Sequence, residues 1–255
     1  MKTFFYSMMA AVVTCSLWIS CSKDKETEAE NELQVFAASG DITGKLNEFR
    51  QRLGGQLNTS PGNETGRREI NWDAVPDSFE NVNLPADFFN PVGPSANVAL
   101  QRGFRYLPTA AARVSGNSFA GLEPTNAAQF SAFSGSKTFA TVGSNIWNVE
   151  FEVPGQPIAA SVQGFGAVFS DVDTDGSTAM QFFSGTESLG IFKIPVRTTG
   201  SHSFLGVYFP NKKITRVEIL QGSAPVGAAV KDISAGGTND LVLMDDFLYN
   251  EPKAD

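Results

Sequence analysis

Two aspartates interrupt the last apolar run of the chain, and no other residues in the sequence are so well placed to do chemistry. Asp245 and Asp246 lie at the centre of residues 241–249, which are otherwise apolar and are followed by turn residues. Such a run is typical of a strand buried on both faces. Because successive side chains of a strand point to opposite faces, we expect one of the two carboxylates to point inward. A buried carboxylate is costly when unpaired, so the pair predicts a cation, an arginine or backbone N–H groups beside it.

A second acidic segment has the alternating spacing of a calcium-binding loop. Asp171, Asp173 and Asp175 occupy alternate positions, and Gly176 follows for the turn. The twelfth position of an EF-hand loop should be a glutamate, but here it is Phe182, which excludes that motif. Two interpretations remain open, a calcium site at a strand end and a solvated acidic turn.

Asp73 is a further acidic candidate, at the other end of the predicted domain. The first and last strands of a domain often lie near each other, so we expect Asp73 to approach Asp245 and Asp246. Carboxylate oxygens favour Ca²⁺ over zinc or copper. The sequence therefore predicts Ca²⁺ as a structural cofactor, held by some of these aspartates.

Residues suited to catalysis are few. His202 is the only histidine, and it lies between two serines in a predicted turn, so a Ser-His-Asp site would depend on it. Glu150 and Glu152 share one face of a strand, as glycosidase carboxylates can, but that face is the polar one. A surface histidine and a solvated strand face are the favoured interpretations. A glycan-active hydrolase remains the alternative to a non-catalytic protein.

The first 20 residues have the pattern of a secretory signal peptide. Lys2 precedes an apolar run over residues 4–19, which is shorter than the roughly 20 residues needed to cross a bilayer. The junction Ser20-Cys21 resembles a bacterial lipobox, in which the cysteine is acylated and becomes the first mature residue. That resemblance implies a lipidated Cys21 and attachment to a membrane. Cleavage there leaves no cysteine in the fold, which excludes disulfides, thiol catalysis and thiolate zinc sites.

Residues 21–34 are predicted to be a disordered tether. Residues 22–30 are polar and acidic and contain no aromatic side chain. They resemble the short Lys-plus-acidic signals that follow the cysteine in surface-exposed lipoproteins of some Gram-negative lineages. This resemblance implies an outer-membrane protein exposed at the cell surface.

Composition excludes one class of partner and favours one fold class. The formal net charge is −8, so the chain is unsuited to nucleic acid, whose affinity comes mainly from Lys and Arg. The chain has 21 Phe, 24 Gly and 13 Pro, as expected for short aromatic strands separated by many turns. We therefore expect an all-β protein.

Residues 35–66 are predicted to contain one helix and a flexible loop. Ile42, Leu46, Phe49 and Leu53 fall at helical spacing between residues 41 and 55, and the loop covers residues 58–66. The apolar face of the helix predicts packing against the domain. Binding to a partner is the alternative.

Residues 67–252 are predicted to form one antiparallel β-sandwich, a jelly roll. Residues 146–153 alternate, with Trp147, Val149 and Phe151 on one face and polar residues on the other. Similar short strands are predicted at residues 165–169, 180–183, 189–192, 204–209 and 215–219, separated by turn residues. Many short strands without intervening helices indicate a sandwich or barrel.

Several motifs resemble an uncharacterised family of exported bacterial sandwich domains. They lie at residues 68–76, 164–173, 203–207 and 244–247. The closing Asp-Asp-Phe strand is also similar to the last strand of jelly-roll carbohydrate-binding modules of the galactose-binding type. The family resemblance implies the fold and no activity, and the similarity to the carbohydrate-binding modules implies a structural calcium near the end of the domain. Because residues suited to catalysis are few and the loops of a sandwich suit binding, we expect a non-catalytic binding or structural module, and a glycan is the partner we consider. Trp72 and Tyr106 are the aromatic residues we consider for a sugar site.

Overall fold

The computed structural model of the protein describes residues 32–107, 111–198 and 202–255. The predicted signal peptide, Cys21 and nearly all of the tether lie outside these residues. Residues Leu33–Asp255 form one compact unit. None of the helices within the described ranges is long and apolar enough to cross a membrane.

The described residues form two antiparallel sheets and short helices. The strands in chain order are β1 (Gln34–Ser39), β2 (Arg67–Ile70), β3 (Phe104–Leu107), β4 (Ala111–Ser115), β5 (Thr138–Val142), β6 (Ile146–Glu152), β7 (Ala159–Ser161), β8 (Gly164–Ser170), β9 (Ala179–Ser184), β10 (Glu187–Lys193), β11 (His202–Tyr208), β12 (Arg216–Leu220), β13 (Leu243–Asn250) and β14 (Lys253–Ala254). The α-helices are α1 (Thr43–Leu53) and α2 (Asn126–Gln129), and 3₁₀ turns cover Trp72–Ala74, Asp77–Phe79, Val98–Leu100 and Ile233–Ala235.

The connectivity of the two sheets is that of a jelly roll. The first sheet has the order β1-β11-β8-β13-β5-β4, with β2 paired to β13. The second has the order β10-β9-β12-β6-β7-β14, with β3 paired to β6. A jelly roll consists of two Greek keys, whose eight strands are divided between two four-stranded sheets. Here β5-β13-β8-β11 in the first sheet and β6-β12-β9-β10 in the second have that strand order. The predicted antiparallel β-sandwich is confirmed.

An aromatic core fills the space between the sheets. Trp72 stacks on Phe139 with ring centroids 4.3 Å apart, and Phe247 meets Trp72 edge-on at 5.0 Å. Trp147 stacks on Phe247, with ring centroids 6.0 Å apart. The predicted alternation of β6 is confirmed, because Trp147, Val149 and Phe151 all belong to this core.

Helix α1 covers the outer face of the first sheet. At the start of the helix, the Oδ1 atom of Asp41 accepts a hydrogen bond from the backbone N–H of Thr43 at 3.1 Å. Leu46, Phe49 and Leu53 are buried against a group of sheet residues on that face: Val168, Phe204 and Leu248. The predicted helix and its packing against the domain are confirmed. The helix also explains why β13 is apolar on both faces.

A β-bulge lies in β13 at the two aspartates. Asp245 is opposite Val168 and Phe247 is opposite Ala167, so Asp246 is an extra residue in the ladder. As a result Met244 and Phe247 both face the aromatic core, although they are three residues apart. The expectation that one carboxylate points into the core is wrong, because the bulge places both on the outer face.

The sheets extend beyond residues 67–252 at both ends. Strand β1 pairs with β11 along its whole length, and β14 pairs with β7. The segment 58–66, predicted to be flexible, is tied to the domain by Asn58, whose Nδ2 donates to the Thr65 carbonyl and to Glu251 Oε2, both at 2.7 Å.

Candidate metal centre

Three connections between strands meet at one end of the sandwich and bring acidic side chains together. Asp171 and Asp173 follow β8, and Asp232 lies in the long connection that precedes β13. Arg197 lies in the connection between β10 and β11. In a jelly roll these connections share the same end of the molecule, so residues distant in the sequence become neighbours.

The Asp171–Asp173–Asp232 cluster has the dimensions of a cation site. One carboxylate oxygen from each residue lies within 4.8 Å of the other two. Calcium binds oxygen ligands at about 2.3–2.6 Å, so two ligands of one ion are at most about 5 Å apart. Asp171 and Asp232 are fully buried, and the Asp173 side chain is partly buried, with 12% of its surface exposed. The cluster can therefore hold a metal ion.

Arg197 is the cationic partner of this cluster. Its Nη1 atom lies 2.5 Å from Asp171 Oδ1, and its Nε atom donates to Asp173 Oδ1. Three ionised carboxylates and one guanidinium leave a formal charge of −2. Asp171 Oδ1 is buried and has no hydrogen bond within the described part of the chain, so the charge contact with Arg197 is what compensates it.

Neutral groups complete the surroundings of the cluster. The Gln129 amide, from α2, donates to Asp171 Oδ2 and to Asp232 Oδ1, the latter at 3.0 Å. The Ser234 hydroxyl donates to Asp173 Oδ2 at 2.5 Å. The backbone N–H of Leu241 donates to Asp232 Oδ2 at 2.7 Å. These groups all donate to the carboxylates, so the oxygen ligands that a hard cation would take are those of the three aspartates themselves.

Burial controls the electrostatics of this end of the molecule. It raises the pKa of Asp171 to about 7, and the charge of Asp173 adds to that effect while Arg197 opposes it. The pKa of Asp240 is also raised by burial, although Ser177, Thr174 and Asp173 donate hydrogen bonds to its carboxylate. The negative charge is thus costly at neutral pH unless protons or a cation compensate it.

The sequence identified part of this centre. Asp171 and Asp173 are predicted ligands, and the structure places them together. Asp175 lies outside the cluster, where it is exposed and pairs with Lys193 at 2.8 Å. Asp232 and Arg197 were missed because no local motif marks them. Only the jelly-roll connectivity, which places their loops beside residues 171–178, could have indicated them.

Asp245 and Asp246 are held by protein groups. Asp245 Oδ2 accepts hydrogen bonds from the backbone N–H groups of Phe133 at 2.6 Å and Ser134 at 3.0 Å. Its Oδ1 accepts from the backbone N–H of Asp246 at 2.8 Å, and Asp246 Oδ1 accepts from the Ser134 hydroxyl at 2.7 Å. Of the partners expected from the sequence, backbone N–H groups are the ones observed. Their binding of a metal stays a prediction.

Asp73 contacts the loop of residues 133–136, which also holds Asp245 and Asp246. Its Oδ1 accepts from the backbone N–H and the hydroxyl of Ser136 at 2.8 and 2.9 Å. The Asn71 amide donates to the Ser134 hydroxyl at 2.7 Å, which links this region to Asp246. Asp73, Asp245 and Asp246 therefore fix one loop, residues 133–136, between β13 and the 3₁₀ turn Trp72–Ala74.

Two of the residues considered for catalysis, His202 and Glu152, have structural partners. His202 Nε2 lies 3.1 Å from the Ser131 carbonyl, its ring packs on Phe133, and burial lowers its pKa. Glu152 pairs with Arg105 at 2.7 Å and accepts from Asn90 at 2.9 Å.

The aromatic residues considered for a sugar site lie in the core. Trp72 is fully buried, and Tyr106 is nearly so, with its hydroxyl donating to the Leu84 carbonyl. Every aromatic side chain in the described ranges is buried or partly buried. A flat, exposed stacking platform for a sugar ring is therefore missing from the described surface.

No protein-family model, no curated protein and no solved structure matches the chain.

Proposed function

We propose that the protein is a non-catalytic module of the outer-membrane surface, attached by a lipid on Cys21 and stabilised by a structural Ca²⁺. The observation that carries this proposal is the Asp171–Asp173–Asp232 cluster. Its oxygen ligands come from two separate connections of the jelly roll, so an ion there would join segments that lie far apart in the sequence. The chemistry that the ion supplies is charge compensation and cross-linking of loops.

The burial of the cluster supports a structural ion over a catalytic one. A catalytic metal keeps an open coordination position for substrate or water. Asp171 and Asp232 are fully buried, and Arg197 covers two of the carboxylates. This arrangement leaves little room for a substrate to reach the ion.

The remaining candidate catalytic groups also favour a binding or structural role. His202 contacts a backbone carbonyl, and Glu152 is shared between Arg105 and Asn90. Groups held in this way stabilise a fold, whereas general acids and bases face a substrate. The loops of a sandwich can present a binding surface on a rigid scaffold, which suits a glycan or protein partner.

Thermal melts in EDTA and in millimolar calcium test the metal. A ligand that binds only the folded state stabilises it by about 2.7 kcal/mol at a hundredfold excess over its dissociation constant. We expect calcium to raise the midpoint for the wild type, and Asp232→Asn to remove most of that rise. Asp175→Asn is the matched control and should keep it. An unchanged midpoint with wild type in both buffers would contradict a calcium site.

A glycan panel that records both binding and release of reducing ends separates the two classes of function. Binding without release supports the module, whereas release of any product supports the glycan-active hydrolase.

Detergent partitioning tests the lipid anchor. Wild type should partition into detergent and Cys21→Ala should not. Equal partitioning of the two forms would refute lipidation at Cys21.

A further inference from the structure

A groove of about 510 Å³ lies at the end of the sandwich opposite the metal centre. The connection between β7 and β8, the turn after β11 and the segment after β13 form its walls, and each of these links one sheet to the other. Its volume is within the usual range for small-molecule sites, about 300–1,000 Å³. The seven residues of β8 separate the two ends.

The polar floor of the groove is fixed by internal hydrogen bonds. Asn250 Oδ1 accepts from the backbone N–H groups of Gln163 at 2.8 Å and Gly164 at 2.9 Å. The Gln163 side chain donates to the Pro210 carbonyl at 2.6 Å and accepts from the Tyr208 hydroxyl at 3.1 Å. A ligand would therefore meet polar groups that are already ordered, which lowers the entropic cost of binding.

Three lysines line the same groove on a protein that is acidic as a whole. They are Lys212, Lys213 and Lys253, and the chain has a formal net charge of −8. Lys212 pairs with Glu187 at 2.9 Å, but both side chains are at least half exposed. Lys213 lies 3.9 Å from the Asp255 carboxylate, and Lys253 forms no ion pair with any described residue. Exposed pairs of this kind are weak, so their lysines can turn to an anionic ligand.

We propose that this groove binds an acidic oligosaccharide, with sugar carboxylates paired to the lysines and hydroxyl groups bound by Gln163 and Asn250. The inference rests on the proposed function as a non-catalytic binding module and names its ligand class. Recognition through charge is consistent with a groove in which no described lining residue is aromatic. A nucleotide is less suited, because its base would have no aromatic side chain to stack on.

Calorimetry with tetragalacturonate and its fully methyl-esterified form tests the proposal on the purified protein. The two probes share a backbone and differ in charge. We expect the acid to bind about tenfold tighter than the ester at low salt, with a difference that shrinks as salt is added. Combining Lys212→Gln, Lys213→Gln and Lys253→Gln should weaken binding of the acid about tenfold.

Controls separate the groove from general charge effects. Lys45→Gln combined with Lys193→Gln removes exposed lysines elsewhere and should change the affinity less than about twofold. Thermal melts of each variant report folding, and Lys253→Gln alone should still weaken binding if the triple variant is unstable.

Some results of these experiments would overturn the groove proposal, and another result would overturn the proposed non-catalytic function. Failure of tetragalacturonate to bind, equal binding of acid and ester, or full binding by the triple variant would overturn the groove proposal and leave the module as proposed. Release of reducing ends in the same samples would instead overturn the non-catalytic function. Lysine-dependent binding of the acid would still support the groove in that case.

Discussion

The backbone N–H of Phe133 donates to Asp245 Oδ2 at 2.6 Å, so a loop outside the sheet satisfies a carboxylate at the centre of β13. Ser134 and Asp246 contribute two more backbone N–H groups to the same side chain. Such donors stabilise the ionised form, yet burial opposes it, and the charge of Asp246 adds to that opposition. The net result is a pKa for Asp245 raised to about 7.

This raised pKa predicts a stability that falls as pH rises. The folded protein holds the Asp245 proton up to about pH 7, whereas the ordinary carboxyl pKa is 3.8. The contribution is therefore complete below pH 4 and is lost as the pH approaches and passes 7. Asp245 shares this titration with the adjacent Asp246, whose pKa burial also raises, so between pH 5 and 8 we expect the pair to lower the free energy of unfolding by on the order of 2–3 kcal/mol. Urea unfolding at pH 5 and pH 8 measures this fall in the free energy of unfolding. The fall should be smaller for Asp245→Asn than for wild type, and Asp175→Asn should match wild type. If the free energy of unfolding fell equally with pH in all three proteins, the raised pKa of Asp245 would be refuted.

Arg197→Gln should make the protein more dependent on calcium. The substitution removes the guanidinium that contacts Asp171 and Asp173, so an ion becomes the main source of compensating charge. We expect a loss of about 1–3 kcal/mol in EDTA, most of it recovered with calcium. Differential scanning calorimetry in the two buffers measures this. Lys193→Gln, which breaks an exposed pair, should change stability by less than about 1 kcal/mol in either buffer. A loss for Arg197→Gln that calcium does not reduce would show that arginine alone neutralises the cluster.

Glu251→Gln should be among the most destabilising single-atom changes in the domain. Arg68 is fully buried and makes two hydrogen bonds to this carboxylate, at 2.8 and 2.6 Å. Removing one partner leaves a buried charge uncompensated, which typically costs about 3–5 kcal/mol. The comparison is Glu48→Gln, which breaks the exposed pair with Lys45 and should cost less than about 1 kcal/mol. Similar denaturation midpoints for the two variants would contradict the importance of the buried pair.

Gly206→Ala and Gly44→Ala should change stability in opposite directions. A Cβ atom at Gly206 would lie 2.8 Å from ring atoms of Phe49, so α1 would have to move off the sheet. We expect a loss of about 1–3 kcal/mol. At Gly44, inside α1, a Cβ atom would meet nothing within 4 Å, and alanine should stabilise the helix by about 0.5–1 kcal/mol. Thermal melts of both variants test this, and a neutral Gly206→Ala would mean that the helix is loosely packed.

The sequence predicted the fold class well because periodicity records which faces are buried. The alternation of β6 and the helical spacing of Leu46, Phe49 and Leu53 both follow from contacts with one core or one sheet face. Strand β1 was missed because it lies next to the helix at the sheet edge, and its burial alternates only weakly. Edge strands bury less apolar surface, so their pattern is less distinct.

The candidate site was less predictable because it depends on connectivity. Asp171 and Asp173 could be identified from their own spacing. Asp232 could not be identified, because the composition of its loop is that of an ordinary solvated turn. Only the jelly-roll topology brings this residue beside the end of β8. The bulge at Asp246 also leaves no sequence signal, since a bulge inserts one residue without a fixed residue type at this position.

The bulge in β13 also determines which changes in chain length the strand can accommodate. In an ordinary strand, losing one residue turns every later side chain to the opposite face. Without Asp246, however, Met244, Asp245 and Phe247 would alternate regularly, and Phe247 and Tyr249 would still face the aromatic core. Loss of Leu248 would instead turn Tyr249 outward. Residue 246 is therefore the position in this central strand where loss of one residue during evolution would leave the later side chains on their present faces.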